Sequence, residues 1–109
     1  MPLTLSRPDL IRSANFIAGA WTGTPAARLA VTDPATGAAI TDVPDSGAAE
    51  ARAALDAAHA AFPAWRKVPA KQRAAIIKRW HDLVMAHQDD LGKLISREQG
   101  KPLAEGKGE

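Results

Sequence analysis

Residues 40–65 read ITDVPDSGAAEARAALDAAHAAFPAW, and the spacing of their apolar residues changes partway along. Before Pro44 the chain is in a strand-like register, with Ile40 and Val43 set among small and polar residues. After it, Ala51, Ala54, Leu55, Ala58, Phe62 and Trp65 recur at helical spacing. Asp45 or Ser46 supplies a capping side chain, and Glu50 suits the positive end of a helix. Pro63 is expected to end the regular helix near Phe62, because it lacks an N–H and its ring crowds the preceding turn. The switch divides the chain into extended elements before Pro44 and helices after it.

Working back from the switch, RLAVTDPATGAAITDVP reads as a β-hairpin. Leu29 and Val31 alternate with small or polar neighbours. Asp33 before Pro34 favours extended backbone, Pro34 pre-sets a turn, and Gly37 closes it in left-handed geometry. Further back, NFIAGAWTG places Phe16, Ile17 and Trp21 around Ala18-Gly19, a first hairpin with a weaker turn pair than Asn-Gly. Ser6 and Pro8 suggest a short helical turn before it.

Working forward, a second helix begins near Pro69, with Ile76, Ile77, Trp80, Leu83 and Val84 expected on its buried face. A break is expected around HQDD. Asp89 and Asp90 suit the first turn of a third helix whose Leu91, Leu94 and Ile95 face inward. Gly100 fits the residue just past its end, and Pro102 starts a new turn with Glu105 near the positive end. The final residues, PLAEGKGE, read as a helix interrupted after it has begun. The expected class is therefore α/β and partial: two N-terminal hairpins followed by three or four helices.

Composition narrows the function. The chain has 109 residues, enough for one small domain, and an apolar fraction of 46%. Alanine supplies 24 of those apolar residues. A buried methyl contributes about 0.8 kcal/mol, against about 1.5–3 kcal/mol for a large aliphatic side chain. Ordering a residue costs about 1.5 kcal/mol. So alanine-rich a core suits a segment that leans on more protein.

There is no cysteine, which excludes disulfides, thiolate metal sites and a cysteine nucleophile within these residues. The net charge of +2 gives no broad attraction to nucleic acid or anionic lipid. No run is long and apolar enough for a membrane-spanning helix, and Arg7, Pro8, Asp9 and Arg12 rule out a secretory signal at the start. The expected location is cytoplasmic, and neither nucleic acid nor membrane is an expected partner.

No catalytic constellation is complete. Gly100 and Gly106 enclose five residues where a phosphate loop needs four, and Lys107 is followed by Gly108 rather than a hydroxyl residue. A dinucleotide-binding glycine fingerprint is also missing. His59, His81 and His87 lack metal-ligand spacing. Arg66, Lys67, Lys71, Arg73, Lys78 and Arg79 form a basic cluster without interleaved stacking aromatics, so a solvated or salt-bridged face is expected, with an inward Arg73 as a variant. The carboxylates Asp82, Asp89, Asp90, Glu98, Glu105 and Glu109 show no acid–base pairing, and Ser46 and Ser96 have no base partner.

Taken in order, NFIAGAW, TDPATGAAI, AAHAAFPAWRKVPAKQR and EQGKPLAEGKGE resemble the start of the aldehyde dehydrogenase superfamily. The stretch HQDDLGKLISREQGKPLAE is most similar to the succinate-semialdehyde dehydrogenases of that family. The resemblance implies that residues 1–109 are an incomplete N-terminal part of an NAD(P)-binding domain, packed beside a Rossmann-like sheet. It implies NAD(P)-dependent oxidation of an aldehyde to an acid by a homo-oligomeric enzyme, through a cysteine nucleophile and a general-base glutamate. Neither group has a counterpart here, so no catalytic, cofactor-binding or metal-binding residue is assigned, and no activity or bound cofactor is expected for these residues alone. Some relatives hold a structural monovalent cation through groups that would fall near Val31, Thr32 and Glu98. Gly106 stands where the family usually has a better helix former, and a mid-helix glycine costs about 1 kcal/mol relative to alanine. The alternative is a small interaction module docking a partner such as a complementing dehydrogenase portion, with self-association or partner docking expected through exposed apolar surface. A basic helical nucleic-acid binder is the remaining rival.

Overall fold

The computed structural model describes residues 4–22 and 27–109. A 3-10 turn at Pro8–Leu10 precedes strands β1 (Asn15–Ile17), β2 (Ala20–Thr22), β3 (Arg28–Thr32) and β4 (Ala39–Pro44). Helices α1 (Ala48–Trp65), α2 (Ala70–Ala86), α3 (Gln88–Gln99) and α4 (Leu103–Gly108) follow. The strands form two separate antiparallel pairs, β1 with β2 and β3 with β4. The expected order of two hairpins and then helices is the one observed, with four helices.

Local chemistry explains the joints. Ala18 and Gly19 turn the first hairpin with φ of 54° and 79°, the two positive values that a type I′ turn requires. In the second, Gly37 takes φ of 71° and its N–H bonds to the Asp33 carbonyl at 2.8 Å. A bulge between Val31 and Thr32 shifts the β3–β4 register, which pairs Val31 with Thr41 and then Thr32 with Ala39.

Three local expectations need correction. At the start of α1 the cap is Gly47, whose N–H is held by the Glu50 carboxylate at 2.9 Å. Ser46 is engaged elsewhere, accepting a 2.7 Å hydrogen bond from the Asn15 amide. Likewise Arg7, not Ser6, occupies the cap of the first turn, and Pro8 takes its first position. Pro63 does not end α1, which runs on to Trp65. The ring falls one turn from the end, so only the bond to the carbonyl of exposed His59 is forfeited. The Arg66 N–H then closes on the Phe62 carbonyl at 2.9 Å. By contrast the α2–α3 break lies within HQDD as expected, at His87.

The larger correction concerns burial. Among the described residues no apolar side chain is buried. Ile76, Ile77, Trp80, Leu83 and Val84, expected inward, are exposed by 53, 52, 66, 53 and 41%. Leu55 and Phe62 of α1 are exposed by 69 and 55%. The apolar periodicity is real, but no described element covers it. The accessible surface is 8101 Å², where a compact monomer of this mass shows roughly 5,800 Å². The radius of gyration is 16.8 Å, against about 13 Å for a compact domain of this length.

Candidate functional site

One corner of the described structure is built around α3. From the β3–β4 turn, Asp33 sends a carboxylate that is 3% exposed towards the end of α3. One oxygen accepts the Ala35 N–H at 2.8 Å, and the other pairs with the Arg97 guanidinium at 3.0 Å. The Ala35 amide, assisted by Arg97, outweighs burial and holds the Asp33 carboxyl below its usual range. Gly100 ends α3 in left-handed geometry, φ 74°, with its N–H on the Ser96 carbonyl at 2.9 Å. A Cβ there would lie 3.1 Å from Pro34, so the turn and the helix end meet closely.

At the other end of α3, Asp90 is 4% exposed. Its carboxylate accepts the Arg7 N–H at 2.8 Å and faces the Lys93 ammonium at 3.4 Å. Lys93 also reaches the Thr4 carbonyl at 3.3 Å. Burial pushes the Asp90 carboxyl up, but the Ser6 and Arg7 amides and Lys93 together bring it below its ordinary value. Asp89 and Asp90 do sit in the first turn of α3, as expected. Asp90 has the further task of fastening the N-terminal segment.

The contact between α3 and α4 runs through glycine. A Cβ on Gly106 would stand 2.6 Å from the Gly92 carbonyl oxygen and 2.6 Å from the Ser96 hydroxyl. A Cβ on Gly92 would stand 2.6 Å from the Lys107 side chain. Gly106 is therefore more than a poor helix former: its missing side chain is what allows the helices to approach. The Lys107 ammonium pairs with Asp89 at 2.6 Å, and the Gln88 amide donates to the Lys107 carbonyl at 2.9 Å. Lys107 holds the Asp89 carboxyl below its normal range. A groove of about 400 Å³ opens beside this contact, lined mainly by Val84, Met85, Leu91, Leu94 and Ile95.

This corner positions backbone through two buried carboxylates and a glycine contact. Val31, Thr32 and Glu98 fall within two positions of the Asp33–Arg97 bridge. No group of three side-chain metal ligands occurs among the described residues. His81 lies beside Asp82 at 3.2 Å and His87 beside Arg7 at 3.5 Å, on separate elements. The basic cluster behaves as a solvated face: Lys78 pairs with Asp82 at 3.0 Å and Arg66 packs over the Phe62 ring at 5.7 Å. Arg73 meets no carboxylate among the described residues. Glu109 pairs with Lys101. Sequence reasoning missed the burial of Asp33 and Asp90. Asp33 could be seen only as a turn former, and a backbone partner of Asp90, the Arg7 N–H, lies 83 positions away.

Two hairpins followed by helices, with a buried carboxylate at each end of α3, form a partial α/β segment. Residues 21–109 match the aldehyde dehydrogenase family, and the chain belongs to it. It is 48% identical over 108 residues to the NADP(+) succinate-semialdehyde dehydrogenase GabD of Escherichia coli (strain K12), covering 98% of this chain and 22% of that protein. It is 45% identical over 108 residues to the 3-sulfolactaldehyde dehydrogenase of Pseudomonas putida, with the same coverage of 98% and 22%. It superposes on the crystal structure of succinate-semialdehyde dehydrogenase from Burkholderia pseudomallei with a TM-score of 0.92 at 48% identity, over 96% of this chain and 22% of that one. The chain thus spans about a fifth of the length of these relatives.

Proposed function

We propose that this chain serves as the N-terminal segment of an NAD(P)-dependent aldehyde dehydrogenase that oxidises an aldehyde bearing a terminal acid group. The observation that carries the reading is 48% identity to GabD across 98% of the chain. Two relatives with near-equal identity are named for succinate semialdehyde and 3-sulfolactaldehyde. One substrate carries a carboxylate and the other a sulfonate, so the shared chemistry is an aldehyde with an anionic end.

In such an enzyme the nicotinamide cofactor accepts the hydride. This chain contributes the framework: the Asp33–Arg97 bridge, the Asp90 fastening and the glycine contact hold a hairpin, the N-terminal segment and α4 around α3. The 109 residues contain no cysteine and so no thiol to attack the aldehyde. The polypeptide alone is expected to give no aldehyde-dependent reduction of NAD or NADP.

The test is a fusion in which residues 1–109 replace the matched segment of GabD. Oxidation of succinate semialdehyde with NADP at a substantial fraction of the parental rate is expected. A soluble, correctly assembled fusion without activity would sink the reading.

A further inference from the structure

We draw no further inference here: the strongest candidate, the N-terminal segment that Asp90 and Lys93 fasten to α3 through the Arg7 N–H and the Thr4 carbonyl, belongs to the corner already described, and nothing in the structure shows what would release it.

Discussion

The α3 corner and the α1–α2 pair are built on opposite terms. Around α3 the contacts are specific: a buried carboxylate at each end, a glycine contact with α4 and a turn packed on Gly100. Along α1 and α2 the sequence is more apolar in pattern, yet its large side chains face water. Polar ties need exact partners, and those partners lie within these residues. Apolar stripes need only a complementary surface, and no described element supplies it. The difference teaches that a regular apolar period reports a helix and its intended face, while burial depends on what else is present.

The contrast breaks most sharply at Gly106. Valine there would drive side-chain carbon into the Gly92 carbonyl and the Ser96 hydroxyl. Overpacking of this kind costs about 1–3 kcal/mol. The helix-propensity gain on replacing glycine is at most about 1 kcal/mol. The steric term wins because a backbone carbonyl cannot rotate away as a flexible side chain can. Thermal melts should show Gly106→Val less stable, with amide exchange accelerated in α3 and α4. An unchanged or raised melting temperature would mean that the close approach is not formed.

The local features were legible in the sequence because their causes are local. Gly37 and Gly100 take the left-handed geometry expected of them, and the α2–α3 break falls at His87. The change of period near Pro44 separates strands from helices as the residues imply. What escaped has distant causes. Gly106 looked like a weak point because propensity sees a helix alone and not the helix against it. Asp90 looked like a helix-start charge because its bond to Arg7 spans 83 positions. Ser46 lost its capping role to a competing bond with Asn15.

Acid should sharpen the contrast next. Asp33 and Asp90 have carboxyl groups held below their usual range. Their contribution is therefore fully present above the unfolded value near pH 4 and fades as pH falls through the lower folded values. Asp90→Asn removes one of the two at every pH. Melting temperatures of the parent and the variant, measured from pH 7 downward, should differ at neutrality and converge once the pH has fallen through the lowered folded value of Asp90. A gap that stays constant into strong acid would show that the Asp90 charge contributes nothing.

The smallest expected effect is the most telling. Leu55 is 69% exposed, so truncating it removes little buried area. Leucine and alanine are both good helix formers, and a surface change of this kind usually stays within about 0.5 kcal/mol. Leu55→Ala should therefore leave the melting temperature of the 109-residue chain almost unmoved. In the fusion with the remainder of GabD the same substitution should act as a core truncation and cost about 2–5 kcal/mol. Measured in both settings, one side chain then reports whether its partner is present. A full core penalty in the isolated chain would mean that α1 already has a cover, and equal near-zero effects would mean that Leu55 points to solvent in both.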